Sequence, residues 1–369
     1  MDMQASAPPG LQAGLTAVTS EWLRLGIDDA GNVVVILMRK GGAGKTTEVL
    51  LLADALARLG LSVLVVDMDP QGNSSIGLDR EVQLVEAGHT RIGGKARFEP
   101  QDNTVCEVIE SGERGVADEA IMLVDWGYEA GERFDRGGPL FPGRIGPIGV
   151  IPCYRRLESL YPTWKPKDLD RLATSLLLPS EPGLVAPNRR WDVVLIDTPP
   201  GGSLIAVQAA KAATSALFVT APATFGAKAV PETMELVQDI KTSYDHPDLD
   251  VIGLIINEYV PQRRRTQSGI ITQLDEAYRR GVPEFGAPLW PARIPYYTVI
   301  QDSPDSHAPV SAFLGVTASR TPARKVCQAA EANAVQLLHA IKHPRAAEVH
   351  RAWAAAWPPE HRADFIREG

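Results

Sequence analysis

Residues 40–47 of this chain bring together residue types that bind phosphate, in the order Lys40-Gly41-Gly42-Ala43-Gly44-Lys45-Thr46-Thr47. The glycines lack a Cβ, so the backbone can adopt left-handed angles and direct successive N–H groups at a polyanion. Lys45 is then placed to reach β- and γ-phosphates and the Thr46 hydroxyl to ligate Mg²⁺, while Thr47 adds a hydroxyl for an α-phosphate. The loop therefore indicates the chemistry of a nucleotide phosphate cradle.

The segments on either side of this loop have the patterns of a strand and a helix. Apolar residues run from Val33 to Leu37 before it, and residues 49–59 after it carry apolar side chains at helical spacing until Gly60. A loop between a strand and a helix places its ligand at the helix N-terminus, where unpaired amides and the helix dipole favour negative charge. This context favours a phosphate-binding loop over the alternative, a glycine turn without a ligand.

Acidic residues follow two other apolar segments. Asp67 ends the segment 62–67 and is followed by Asp69, and Asp197 ends the segment 191–197. In a parallel sheet the carboxyl ends of the strands meet at one edge, beside the phosphate loop, where Mg²⁺ and an attacking water must be organised. Asp197 is therefore a candidate for holding the metal, directly or through water. The alternative is that these acids only close the proline-containing turns that follow them.

Three motifs in this order resemble the deviant Walker A ATPases, the ParA/MinD family. The family loop is KGGxGKT, and residues 40–46 match it, including a lysine ahead of the glycines that a generic phosphate loop does not require. Residues 67–73 match the family string DxDPQGN, and residues 197–200 match DTPP. The resemblance extends over about residues 32–341 and is weakest over residues 80–146.

This resemblance implies an ATPase that uses ATP and Mg²⁺ and works as a homodimer. By it, Lys40 reaches across the dimer interface to the partner's nucleotide, Asp69 positions the hydrolytic water, and Asp67 supports the water shell of the metal. It also implies that Asn257 recognises adenine, because an amide donates and accepts at once, and that Pro295 borders the base. As an isolated residue, Asn257 is also consistent with a cap or a turn.

The same resemblance implies a partition ATPase that segregates plasmid or chromosomal DNA. Residues 198–202 would form the loop that senses the γ-phosphate, and the ATP-bound dimer would bind DNA without sequence specificity. A ParB-type centromere-binding partner would stimulate an otherwise slow hydrolysis. Two alternatives stay open: a MinD-like ATPase that positions a protein cargo or acts at the membrane, and a non-hydrolysing, nucleotide-dependent dimeric scaffold or regulator.

Three consecutive arginines, Arg263, Arg264 and Arg265, form a tight basic cluster. The matching segment of ParA proteins contacts DNA, so these arginines are the expected DNA-binding residues, and a solvated surface is the alternative. A second segment departs from the family, because Tyr296 and Val299 stand where ParA proteins carry arginines that help to bind DNA. DNA affinity is therefore expected to be weaker, carried elsewhere, or absent.

Composition places the chain among ordinary globular proteins. Its 369 residues are 44% hydrophobic and 22% charged, and the formal charge of −8 means that DNA binding would need a local basic patch. Three cysteines share no metal-binding or redox spacing, which suits a reducing cytosol. The sequence contains neither a membrane-length apolar run nor a signal-peptide pattern. We therefore expect a cytoplasmic protein without a membrane partner, associated with the nucleoid if it binds DNA.

The alternation of apolar strands and amphipathic helices predicts an α/β fold, here a three-layer P-loop NTPase with a mostly parallel central sheet flanked by helices. We expect an N-terminal extension with a short helix over residues 1–30 and an ATPase domain over residues 31–343, with an insertion at about 80–146. A C-terminal helix and tail would occupy residues 344–369. This last helix is expected to pack onto the domain, and membrane binding, as in MinD proteins, is the alternative.

Overall fold

The computed structural model describes residues 32–92, 95–126, 145–176, 191–222, 224–260, 268–272, 276 and 289–356. The expected N-terminal extension lies outside the described residues, as does the arginine cluster at 263–265.

One large sheet forms the centre of the molecule. The strands in the described residues are β1 (Asn32–Leu37), β2 (Val63–Asp67), β3 (Leu84–Ile92), β4 (Lys95–Pro100), β5 (Met122–Leu123), β6 (Ile148–Ile151), β7 (Val193–Asp197), β8 (Ser215–Thr220) and β9 (Asp250–Ile256). Seven of them make the main sheet in the order β5-β6-β2-β7-β1-β8-β9. All neighbours in this sheet are parallel except β5 and β6. The predicted mostly parallel sheet is confirmed.

Helices connect the parallel strands and cover both faces of the sheet, as right-handed crossovers require. The labelled helices are α1 (Lys45–Arg58), α2 (Asn73–Gly77), α3 (Val105–Ser111), α4 (Arg156–Leu160), α5 (Arg171–Leu176), α6 (Leu204–Lys211), α7 (Thr224–Ser243), α8 (Val299–Asp305), α9 (Arg320–Ala340) and α10 (Ala346–Ala356).

Strand β1 shows why the chain folds into three layers. Successive side chains of a strand point to opposite faces, and every residue from Val33 to Leu37 is apolar and buried. Val33 and Val35 pack into a core with α3, α5, α6 and α7, whereas Val34 and Ile36 pack into a second core with α1, α8, α9 and α10. An uninterrupted apolar run is therefore needed, because both faces of this strand are covered.

The region that the sequence suggests as an insertion, residues 80–146, contains two kinds of structure. Strands β3 and β4 pair only with each other, as an antiparallel sheet separate from the main one. In contrast, Val105 and Ile109 of α3 are fully buried in the core, and β5 adds an antiparallel edge strand beside β6. The segment around α3 and β5 is thus an integral part of the main domain.

Two of the long helices contain a proline. Helix α9 starts at Arg320 and tolerates Pro322, which lies in its first turn, where no N–H is needed for the helical ladder. Helix α7 starts at Thr224 and carries Pro231 inside it. Burial of the neighbouring apolar residues of α7 in the core outweighs the lost backbone hydrogen bond.

Candidate nucleotide-binding site

The loop between β1 and α1 has the backbone geometry of an anion cradle. Gly42 and Gly44 have φ values of 67° and 89°, in the left-handed region that glycine tolerates. Gly44 caps α1 without a side-chain hydrogen bond, so the first amides of this helix remain available to a ligand. A Cβ on Gly44 would lie 1.8 Å from Asn257 Nδ2, so this position excludes any larger residue.

Lys45 begins α1 and is buried at the mouth of this loop. Only 7% of its surface is exposed, and its Nζ donates to the Met38 carbonyl oxygen over 3.4 Å. Burial lowers the pKa of Lys45, while the nearby carboxylates of Asp197 and Asp69 oppose that shift. A lysine held in this way directs its charge at a phosphate group without free rotation in solvent.

The structure places the two predicted strand-end acids side by side. Asp67 and Asp197 are register partners on the parallel strands β2 and β7, and both side chains are fully buried. Two buried carboxylates on adjacent strands repel each other unless a cation or hydrogen-bond donors compensate their charge. The carboxyl ends of β2 and β7 therefore need such compensation.

Asp197 combines two hydroxyl donors with one unused oxygen. Its Oδ2 accepts hydrogen bonds from Thr46 Oγ1 at 2.7 Å and from Ser74 Oγ at 2.6 Å. Its Oδ1 is buried and has no hydrogen-bond partner among the described residues. Burial raises the pKa of Asp197 despite these donors. A threonine hydroxyl beside an unpaired carboxylate oxygen suits Mg²⁺, which prefers oxygen ligands, so the residues fit the expected metal.

Asp67 instead organises the backbone that follows it. Its Oδ1 accepts from the Asp69 amide at 3.0 Å, and its Oδ2 accepts from the amide and hydroxyl of Ser75 at 2.9 and 2.7 Å. Burial, with a smaller contribution from Asp197, raises the pKa of Asp67. Asp69 lies at the rim, 8% exposed, and accepts from the Gln71 amide. Asp67 thereby fixes the loop that presents Asp69.

Asn257 lies beneath the phosphate loop, at the carboxyl end of β9. Its Nδ2 donates to the Gly44 carbonyl oxygen over 3.5 Å, and its Oδ1 accepts from the Glu258 amide at 2.8 Å. Pro295 is in the neighbouring segment, which forms a parallel bridge to Tyr259. The structure thus brings Asn257 to the phosphate loop, while the adenine contact of Asn257 and Pro295 stays a prediction.

A cavity of about 630 Å³ opens beside the first turn of α1. Thr46, Thr47 and Leu50 form one wall, α2 forms a second, and α8 with the residues after it forms a third. Small-molecule sites in proteins typically have volumes of about 300–1,000 Å³. The cavity has the volume of a small-molecule site and borders the nucleotide site through Thr46 and Thr47, whereas Lys45, Asp197 and Asn257 are not among its lining residues.

Comparison with known proteins agrees with this geometry. A family model described as the CobQ/CobB/MinD/ParA nucleotide binding domain, CbiA, matches residues 34–310, which is more than half of the chain. The chain belongs to this family. It is 28% identical to the chromosome partitioning protein ParA of Caulobacter vibrioides over 280 residues, which cover 75% of this chain and 85% of that relative.

Solved structures of the family have the same fold. McdA of Cyanothece in an ATP complex superposes with a TM-score of 0.54 at 19% identity, covering 81% of this chain and 96% of that one. MinD of Pyrococcus horikoshii with Mg-ADP gives a TM-score of 0.52 at 21% identity, covering 83% and 96%. The ligands in these two structures agree with the expected cofactors, ATP and Mg²⁺. Within the described ranges, no helix has the length and apolar character needed to cross a bilayer.

The family motifs alone did not identify two serines of the site. Ser74 donates to Asp197 and Ser75 donates to Asp67, so each supports one of the paired acids. Both follow directly after the family string of residues 67–73 and lie in α2, whose N-cap is Gly72 with a φ of 66°. Their position immediately after a recognised motif is the signal that could have found them.

The segment that departs from the ParA pattern has one exposed and one buried position. Tyr296 is 46% exposed, whereas Val299 is 1% exposed and packs into the core at the start of α8. A cation at position 299 would be buried in this fold, which is costly without a partner. Of the two replaced arginine positions, only Tyr296 faces solvent, and the predicted arginines at 263–265 lie outside the described residues.

Proposed function

We propose that this chain is an ATP-dependent partition protein. Two copies would enclose two ATP·Mg²⁺, bind DNA without sequence specificity, and separate after hydrolysis that a ParB-type partner stimulates. The observation that carries the ATP·Mg²⁺ part of this proposal is the arrangement around Asp197, where one oxygen accepts from Thr46 and Ser74 and the other has no partner among the described residues. The similarity to Caulobacter ParA along most of both chains supports partition among the roles that the family includes.

Each residue of the site has a role that its position supports. Lys45 and the loop amides would hold the β- and γ-phosphates, Thr46 and Asp197 would hold Mg²⁺, and Asp69 would position the attacking water. When bound, Mg²⁺ would neutralise charge on the phosphates. The protein's own contribution is positioning and electrostatic stabilisation, because phosphoryl transfer to water needs little covalent chemistry from the enzyme.

Lys40 and the loop at 198–202 would make the site a switch. Lys40 is half-buried directly before the phosphate loop, so we propose that it reaches the nucleotide of the partner subunit. The loop at 198–202 follows Asp197 and lies against the phosphate loop, since a Cβ on Gly41 would be 3.7 Å from Pro200 Cβ. We propose that it senses the γ-phosphate.

Two substitutions test the nucleotide chemistry. Lys45→Ala should abolish ATP binding, measured by equilibrium dialysis with labelled nucleotide, because it removes the cation that faces the phosphates. Asp69→Ala should keep ATP bound and accumulate a dimer in size-exclusion chromatography, because only the water-positioning acid is lost. Asp102→Ala, at an exposed acid, is the matched control. Normal phosphate release by Asp69→Ala would show that another group positions the water.

DNA binding needs a separate experiment. Retardation of DNA in a low-salt gel should require ATP, be absent with ADP or without nucleotide, and disappear when residues 263–265 are changed from arginine to glutamate. Unchanged retardation by this triple variant would locate the DNA site elsewhere. ATP-dependent flotation with vesicles would support a MinD-like role instead. Absence of phosphate release with DNA and partner present would support a nucleotide-dependent scaffold.

A further inference from the structure

The residue immediately before Lys40, Arg39, is held through both its amide and its carbonyl group by distant parts of the chain. The amide of Arg39 donates to Thr233 Oγ1 on α7 at 3.1 Å. The carbonyl oxygen of Arg39 accepts from the amide of Gly201 at 2.8 Å. The segment that carries Lys40 is thus tied both to a helix of the fold and to the loop that follows Asp197.

Thr233 is built to act as a fixed acceptor. Its side chain is fully buried, and its hydroxyl donates to the Ala229 carbonyl oxygen at 2.7 Å, one turn earlier in α7. A hydroxyl has one proton and two lone pairs, so whether the proton points to the Ala229 oxygen or to Met38 Sδ at 3.3 Å, the Thr233 oxygen can accept from the Arg39 amide. Helix α7 packs into the core through apolar neighbours such as Val230 and Val237. The Thr233 oxygen is therefore held in a fixed position beside the phosphate loop.

Gly201, on the other side, belongs to a partly exposed segment. Its φ of 94° is accessible to glycine and strained for other residues, and it is partly exposed, like the neighbouring residues 199–202. Its hydrogen bond to Arg39 connects this segment directly to the residue before Lys40. A displacement of the loop at 198–202 would pull on the Arg39 carbonyl group while Thr233 holds its amide.

We propose that Thr233 is a positioning residue for Lys40. By anchoring the Arg39 amide, it converts movement of the loop at 198–202 into a rotation of the Lys40 segment and leaves the rest of the phosphate loop in place. This inference rests on the proposed function, in which the loop senses the γ-phosphate and Lys40 acts on the partner's nucleotide. It adds a residue of α7 that none of the family motifs contains.

The test compares three variants of the full chain. Thr233→Val keeps the shape of the side chain and removes the acceptor, whereas Thr233→Ser keeps the hydroxyl. Thr242→Val is the control: it removes the hydrogen bond from Thr242 Oγ1 to the Gln238 carbonyl oxygen, one turn earlier in α7 and away from the loop. Three quantities are measured: hydrogen exchange of the amides of residues 39–41, the rate of ATP hydrolysis, and the affinity for ATP.

Thr233→Val should accelerate exchange at residues 39–41 by about fivefold or more, because one buried hydrogen bond is lost, and leave exchange in α1 unchanged. It should lower the hydrolysis rate by about tenfold and change ATP affinity by less than about twofold. Thr233→Ser and Thr242→Val should resemble the unchanged protein in all three measurements.

Several results would overturn the proposal. Equal acceleration of exchange in α1 and at residues 39–41, or an equal loss of affinity and hydrolysis, would assign Thr233 a purely structural role. Unchanged exchange at residues 39–41 would show that Thr233 does not anchor this segment. If the unchanged protein hydrolyses no ATP, the proposed function fails, and the exchange measurement still decides whether Thr233 positions the loop.

Discussion

Strand β7 has a carboxylate at each end, and the fold uses the two in opposite ways. Asp192, before the strand, accepts from the amide and hydroxyl of Ser62 at 2.7 and 2.9 Å, and His343 Nε2 lies 3.8 Å from its other oxygen. Asp197, at the end of the strand, has both hydroxyl donors on one oxygen, and its second oxygen has no partner in the described part of the chain. The first carboxylate is fully engaged by the protein, and the second is not.

The pKa values of these two acids shift in opposite directions. Burial raises the pKa of Asp192, but the nearby His343 and the hydrogen bonds from Ser62 outweigh burial, so that its pKa is lowered overall. Burial also raises the pKa of Asp197, and there its hydroxyl donors do not compensate. A buried acid whose charge the fold leaves uncompensated is typical of a ligand site. The difference therefore separates a structural acid from a candidate metal ligand on one strand.

The largest expected effect comes from Asp197→Asn. The variant should lose ATP hydrolysis by about 100-fold or more, since a charged group that organises the reacting phosphate is removed. Its thermal stability should be equal or higher, because the new amide oxygen still accepts from Thr46 and Ser74 while a buried charge is lost. Phosphate release and thermal melts measure the two effects. A variant that melts earlier would mean that the carboxylate contributes mainly to folding.

Asp192→Asn should show the reverse pattern. The free energy of unfolding should fall by about 1 kcal/mol, because charge-assisted hydrogen bonds become neutral ones at a partly exposed site. Hydrolysis per folded molecule should stay unchanged, since this acid lies at the opposite edge of the sheet. Urea titration and phosphate release test both statements. If Asp192→Asn loses hydrolysis while its stability is unchanged, Asp192 contributes to function as Asp197 does, and the proposed difference between the two ends of β7 is wrong.

The pH dependence of this difference has a definite sign. A lowered pKa in the folded protein stabilises it above the usual carboxyl value of 3.8, and this contribution disappears as the pH falls through the lowered value. The stability gap between the unchanged protein and Asp192→Asn should be complete at pH 7 and shrink below pH 3.8. A gap that is the same at both pH values would show that the charge of Asp192 is not responsible.

A smaller effect is expected at Glu48, a buried acid that also has an unpaired oxygen. Its Oε1 accepts from Asn333 Nδ2 at 3.3 Å, while Glu48 Oε2 and Asn333 Oδ1 lack partners among the described residues. Burial raises the pKa of Glu48 to about 8. Glu48→Gln keeps a donor for Asn333 Oδ1 and removes the cost of protonating a buried acid at neutral pH, so the free energy of unfolding should rise by about 1 kcal/mol.

Urea titration measures this gain, and Glu232→Gln, at an exposed acid of α7, is the control. A loss of stability would mean that a group outside the described contacts of Glu48 stabilises the acid. A gain would show that Glu48, a buried acid away from the ends of the strands, destabilises the fold although no ligand is expected there.

Local patterns were sufficient for the phosphate loop, for the strand-end acids and for the parallel sheet. Glycine spacing, apolar runs and helix boundaries are properties of short segments, so Lys45, Thr46, Asp67 and Asp197 could be identified from the sequence. Thr233 could not, because its contact with Arg39 joins residues 194 positions apart through the packing of α7.

The sequence by itself determined that a strand, a glycine loop and a helix form an anion cradle, and that two acids end neighbouring apolar strands. Only the tertiary structure decided that Asp67 and Asp197 are register partners and that Ser75 completes the hydrogen bonding of Asp67. It also decided that one oxygen of Asp197 has no partner within the described ranges. The physical reason is that hydrogen-bond satisfaction depends on which distant groups packing brings within about 3 Å.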